Sequence, residues 1–228
     1  MEKKVLVLSL GGSLIIPENV DIAFLENFKQ IINKHENKYK FIIVTGGGSI
    51  ARKYISALKA AGKPEFLQSM AGIGTTRMNA RFLTYLFGKD ANEGIPHDMK
   101  QVAGLLRKNN PVFCGALRYH PKETSDATAA KLANYFKTEF INLTLVSGLY
   151  TKNPLKFKDA KFIPEISWQE FLKMLPRKFE PGQHFVLDQT AAKIIKNNRI
   201  KTYILGKELK NLDNFLSGRK FKGTIIEG

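Results

Sequence analysis

The chain has 228 residues, 43% of them hydrophobic, with 36 Lys and Arg against 20 Asp and Glu for a formal charge of +16, and a single cysteine, Cys114. That length and apolar content suffice for a full core, so disorder is not the default, and one cysteine excludes both an intrachain disulfide and a cysteine-built zinc site. No stretch reaches the roughly 18 to 20 unbroken apolar residues of a membrane span, so a cytoplasmic protein is expected, whose positive field attracts phosphates, nucleotides and nucleic acids alike.

Residues 4–10 form a nearly continuous apolar run that ends in Gly11-Gly12-Ser13 and predicts a buried strand followed by a tight loop. Ile22, Leu25, Phe28, Ile31 and Ile32 recur at helical spacing, with Asp21 as the cap. Residues 41–45 predict a second buried strand, again ending in glycines, Gly46-Gly47-Gly48, before a helix over 50–61. Helices over 79–87 and 99–107, a short strand over 111–114, a helix over 125–136 and a strand over 141–146 continue the alternation. The polar, Lys-rich segment 151–164 predicts a loop with room for one hairpin. Helices over 168–175 and 191–198 and strands over 201–205 and 223–226 close the chain. Such alternation predicts a mainly parallel sheet between helical layers, because parallel neighbours need helical crossovers.

In such a sheet ligands gather at the carboxyl ends of the strands, where the glycine loops fall. Gly46-Gly47-Gly48 opens a helix directly, so bare backbone N–H groups and the positive end of the helix dipole meet an anion there. Arg52, one turn in, can reach the same anion with its planar fork. Charge and glycines alone therefore point to phosphate handling without choosing the ligand. Most of the lysines, among them Lys152, Lys156, Lys158 and Lys161, read as a solvated face.

Residues 44–54, Val-Thr-Gly-Gly-Gly-Ser-Ile-Ala-Arg-Lys-Tyr, closely resemble the loop and helix of archaeal-type uridylate (UMP) kinases, members of the amino acid kinase superfamily. Gly72-Ile-Gly-Thr-Thr-Arg77-Met-Asn-Ala, Thr124-Ser-Asp126-Ala-Thr-Ala-Ala, Leu187-Asp188-Gln-Thr-Ala-Ala-Lys193-Ile-Ile and Gly223-Thr-Ile-Ile-Glu227 are similar to further segments of that family, in the same order along the whole chain. The resemblance implies a three-layer αβα sandwich with a mainly parallel central sheet, the amino acid kinase or carbamate kinase-like fold. It implies one domain, with an acceptor-binding lobe over about residues 1–138 and an ATP-binding lobe over about 139–228. The implied reaction is transfer of the ATP γ-phosphate to UMP, with magnesium arriving with ATP and no resident metal site. A homo-oligomer, a hexamer among relatives, is implied as well.

Residue by residue, the resemblance gives Gly11, Gly12, Asp126 and Lys193 catalytic roles. It gives Gly46, Gly47, Gly48, Arg52, Ser69, Gly72, Arg77, Thr124 and Ser125 to the acceptor, and Ser9, Ser13, Thr144, Leu145, Tyr150, Asn153 and Pro154 to ATP. The sequence departs from the family at several points. Ser9 stands where many amino acid kinases carry a lysine, Ser69 replaces an aspartate, and Leu145, Ser147, Asn153 and Gln189 replace other motif residues. The loop 115–123 gains Arg118, His120 and Lys122, whose charge is expected to compensate for Ser9. The alternatives are a nucleotide-binding sensor or storage protein of the same fold, or a kinase for another phosphate acceptor. No membrane partner is expected, and nucleic-acid binding has no recognisable motif. Cys114 reads as a small buried residue, and His97 and His184 lack partners at ligand spacing.

Overall fold

The computed structural model describes residues 3–175 and 186–228; His184 lies outside them. Strand β1 (Lys4–Leu10) runs through the middle of a sheet and is followed by a single-turn helix α1 (Gly12–Ile15). Helix α2 (Ile22–His35) starts at Asp21, whose side chain accepts from Phe24 N at 3.0 Å, as the cap reading requires. Then follow β2 (Tyr39–Thr45), α3 (Gly48–Ala60), α4 (Glu65–Phe87), α5 (Met99–Leu106), β3 (Val112–Cys114), α6 (Ser125–Tyr135) and β4 (Phe140–Leu143). A hairpin of β5 (Leu149–Tyr150) and β6 (Phe162–Ile163) brackets the Lys-rich segment. After it come β7 (Glu165–Ile166), α7 (Trp168–Met174), α8 (Gln189–Asn197), β8 (Thr202–Leu205), α9 (Leu209–Leu216) and β9 (Gly223–Ile226).

The main sheet has the order β3-β2-β1-β4-β8-β9-β7, parallel at each step except β8 against β9. Alternation along β1 and β2 makes the layers, since successive strand side chains point to opposite faces. Val7, Ile42 and Val44 pack with α5, α6, α7 and α8 through Val102, Ala133, Phe171 and Ile195. Leu6, Leu8, Leu10, Phe41 and Ile43 pack on the other face with α2, α4 and α9 through Phe28, Leu83 and Leu212. A mainly parallel three-layer αβα sandwich results, as expected. None of the described helices is long and apolar enough to cross a membrane.

Besides the single turn α1 in place of a tight loop and the short edge strand β7, three elements differ from expectation. Helix α4 begins 14 residues before the predicted start, because Gly72, Gly74, Thr75 and Thr76 read as breakers but are held by packing on α3 and β3. The hydroxyls of Thr75 and Thr76 return to the carbonyls of Ala71 and Ile73 at 2.9 and 2.7 Å. Strand β4 ends at Leu143, not 146, and the chain bends to carry residues 144–148 over the strand ends. Helix α9 is an addition to the expected elements: it buries Leu212 and Leu216 fully within a stretch that reads as polar from its lysines.

Candidate active site

Strands β1, β2 and β4 end side by side, and the loops after them build one cleft of about 680 Å³. Gly46 N donates to Leu10 O and Gly11 N to Leu143 O, both at 2.9 Å, so the loops are pinned to the strand ends. The two glycine loops touch backbone to backbone. A Cβ on Gly12 would stand 2.0 Å from Gly48 N, and Gly48 itself takes φ +67°, which favours glycine. Helix α4 supports the second loop from behind, with Asn79 Nδ2 donating to Gly46 O at 2.7 Å and Thr45 Oγ1 to Thr76 O at 2.7 Å.

Of the expected site residues, the cleft wall contains Gly11, Gly12, Ser13, Gly46, Gly47, Gly48, Arg52, Ser69, Gly72, Thr124, Ser125, Asp126, Thr144, Leu145, Tyr150, Asn153 and Pro154. The Arg52 guanidinium donates to Ser13 Oγ at 3.2 Å, which links the α3 helix start to the first glycine loop. Thr124 caps α6, its hydroxyl accepting from Asp126 N at 3.2 Å and donating to Asp188 Oδ2 at 2.5 Å. Asp188 in turn caps α8 through Ala191 N at 2.7 Å and accepts from Ala127 N at 3.2 Å, so a single carboxylate ties two helix starts together.

The remaining three residues take other places. Ser9 is buried on β1 and its hydroxyl donates to Asp126 Oδ1 at 2.7 Å, so it supports Asp126 and does not line the wall. The Asp126 carboxyl is pushed up to about 7, first by burial and then by the nearby Asp188 carboxylate, against which the Ser9 hydrogen bond acts. Its Oδ2 has no hydrogen-bond partner among the described residues. Arg77 spends its guanidinium on the carbonyls of Ala116 and Leu117 and so fastens loop 115–123 to α4. Lys193 stands exposed on α8, away from the buried side formed by Ala191, Ala192 and Ile195, and does not border the cleft.

Compensation for Ser9 by loop 115–123 is not supported. Arg118 is turned to Asp98 at 3.5 Å with its side chain 78% exposed, and neither it nor Lys122 borders the cleft. His120 is exposed and lies 3.3 Å from Glu123, and His97 is exposed. Cys114 is buried and free, its thiol pushed up to about 12 by burial, which makes it inert.

The wall also holds residues the sequence reading did not assign: Glu123, Asn142, Lys152, Lys156 and Asp188. Asn142 had a usable signal, a lone amide in the apolar run Phe140–Leu143. The register places it beside Ser9, and its amide donates to Val186 O, so Asn142 brings a polar group from β4 into the wall next to the buried Ser9 of β1. Among the described residues the cations of the wall are Arg52, Lys152 and Lys156. No group of three or more His, Cys, Asp or Glu among them is placed to hold a metal.

A crevice at parallel strand ends, floored by two touching glycine loops and helix starts, defines an α/β protein that handles phosphate groups. The model of the amino acid kinase family matches residues 4–206, and the chain belongs to that family. It is 36% identical over 225 residues to a uridylate kinase of Thermoplasma volcanium, with 97% of each chain covered. Over 226 residues it is 33% identical to a uridylate kinase of Thermococcus kodakarensis, covering 97% of this chain and 99% of that one. Among solved structures, uridylate kinase from Archaeoglobus fulgidus superposes with a TM-score of 0.83 at 32% identity, covering 98% of this chain and 99% of that one.

Proposed function

We propose that the chain is a nucleoside monophosphate kinase that transfers the γ-phosphoryl group of ATP to UMP in the cytoplasm. The observation that carries this reading is the contact between the two glycine loops, whose backbone lies in the wall of one cleft lined by residues of both halves of the chain. An oxygen of the acceptor phosphate attacks the γ-phosphorus, the bond to the β–γ bridging oxygen breaks, and ADP leaves with the electron pair. The attacking oxygen is already ionised, so no general base is needed, and positioning with charge neutralisation supplies most of the rate. Arg52 and the N–H groups of Gly47 and Gly48 hold the acceptor phosphate in the lobe of about residues 1–138, the Gly46 N–H being taken by Leu10 O. Thr144, Leu145, Tyr150, Asn153 and Pro154 hold the donor in the lobe of about 139–228.

Magnesium fits as an ion carried in by ATP. Both oxygens of Asp188 are engaged and Asp126 offers only Oδ2, which suits an ion that keeps water and phosphate ligands and does not suit an all-protein cage. The ion would neutralise charge on the transferred group, while Asp126 holds its place.

A coupled ADP-release assay across UMP, CMP, dUMP and AMP tests the reading. Turnover with UMP well above the others is the expected result, and nucleotide binding without turnover would make the chain a binding protein instead. Arg52→Ala should raise KM for UMP roughly tenfold to hundredfold through loss of a paired charge-assisted contact, with KM for ATP little changed. Equal losses for both substrates would remove Arg52 from the acceptor side.

We further propose self-association through α4. Phe66, Leu67, Met70, Met78 and Tyr85 are exposed along one stripe of that helix. Exposed apolar groups gathered this way mark an interface, and a helix shared by copies closes it symmetrically. Light scattering should give a multiple of 25.7 kDa for the native chain and the single mass for the double variant Met78→Glu, Tyr85→Glu. A native monomer would sink the proposal.

A further inference from the structure

The hairpin tip over residues 151–161 forms one edge of the cleft. Its base is closed by Thr151 N to Lys161 O at 2.9 Å and by Lys161 N to Thr151 Oγ1 at 3.0 Å. Asn153 organises the interior: its side chain accepts from Leu155 N at 2.9 Å, and its carbonyl from Lys156 N and Phe157 N at 3.1 and 3.0 Å. On this scaffold stand Lys152, Lys156, Lys158 and Lys161 with one carboxylate, Asp159. Thr151, Lys152, Asn153, Pro154, Leu155 and Lys156 face the cleft.

The charge around the rest of the cleft explains why these lysines matter. Its carboxylates are Glu123, Asp126 and Asp188, and only Glu123 is paired with an ammonium, both its oxygens lying 2.6 Å from Lys131 Nζ. Arg52 belongs to the α3 side through Ser13. A donor polyphosphate entering from the C-terminal lobe meets acidic side chains on the floor, and Lys193 does not border the cleft. The cations left for it are those of the hairpin tip.

We infer that Lys152 is a ligand of the donor polyphosphate, held ready by Asp159 and released to the nucleotide on binding, with Lys156 beside it. Lys152 Nζ lies 2.6 Å from Asp159 Oδ2, and the two side chains are 50% and 69% exposed. A pair so exposed contributes little, so a polyphosphate carrying several charges displaces the carboxylate readily. The Phe157 ring, 5.8 Å from the same ammonium, limits where the lysine can go without holding it. The inference rests on the proposed function only for the identity of the donor.

Calorimetric titration of the full chain with ATP, ADP and AMP tests it. Lys152→Ala should weaken ATP and ADP about tenfold, the loss of one charge-assisted phosphate contact, and AMP by less than about twofold. Lys152→Arg, which keeps the charge, should restore ATP binding to within about threefold. Asp159→Asn should tighten ATP in the native chain and do nothing in the Lys152→Ala background. Unchanged ATP binding in Lys152→Ala, equal weakening of AMP and ATP, or an Asp159→Asn effect that is the same in both backgrounds would each overturn the assignment. ATP binding without phosphate transfer would sink the kinase reading and leave this one standing. Transfer with Lys152→Ala indistinguishable from native would sink this one alone.

Discussion

Asp126→Asn is expected to raise the unfolding midpoint in mildly alkaline buffer while removing phosphoryl transfer. Burial and the Asp188 carboxylate lift the Asp126 carboxyl from its ordinary 3.8 to about 7 in the fold. Between those two values the folded chain holds a proton that the unfolded chain has released. Stability therefore falls as pH rises through that window and is flat above it, the reverse of a salt-bridged aspartate. The ionised fold bears up to about 4 kcal/mol, and the isosteric amide relieves it without emptying the position. For a chain of this length that is a gain on the order of 10 °C in Tm at about pH 8, shrinking to nothing near pH 4. Turnover should fall roughly a hundredfold or more, because a negative charge in the cleft wall is lost. Scanning fluorimetry at several pH values reads the first effect and the ADP-release assay the second. A Tm difference independent of pH would refute the burial argument, and full activity in the amide would refute the role in transfer.

What the sequence makes legible here is what is local. The run over residues 4–10 and the glycines after it announce a buried strand and its loop, because both signals lie within a dozen residues. The hairpin around residues 151–163 and the Asp21 cap are legible for the same reason. What fails is orientation and distance. Lys193 sits in a motif shared with known kinases, yet a linear match does not say which way a helical side chain turns, and residues 191, 192 and 195 take the buried side. The pairing of Ser9 with Asp126 joins positions 117 apart, and nothing near either residue marks it. Arg77 looks like an acceptor-binding residue by motif, but the carbonyls of residues 116 and 117 claim its guanidinium first. Helix α4 reads as shorter than it is because its glycines and threonines carry poor intrinsic helix propensity, which packing overrides.

Gly12→Ala is expected to be the most damaging of the conservative substitutions, although it adds one methyl group. That methyl would stand 2.0 Å from Gly48 N, 2.6 Å from Gly46 C and 2.7 Å from Gly47 N. All three are backbone atoms, so no rotamer change relieves the clash, and the loops must move apart by more than 1 Å. Separation strains the bonds from Gly46 N to Leu10 O and from Ser49 N to Ile16 O, together with the Asn79 bond to Gly46 O. The expected cost is about 3 kcal/mol, with turnover reduced at least a hundredfold because a shift of about 1 Å misplaces the reacting groups. Gly104→Ala is the control: it lies in α5, away from the cleft, and its added Cβ meets nothing within 4 Å. That change should be neutral or stabilise by about 0.4–1 kcal/mol, since alanine loses less backbone freedom on folding. Denaturant melts and steady-state rates of the two variants, taken together, separate the requirement for contact between the loops from the general effect of losing a glycine. Native-like stability and turnover in Gly12→Ala would mean that the two loops need not touch, and the shared phosphate floor on which the function rests would lose its geometric basis.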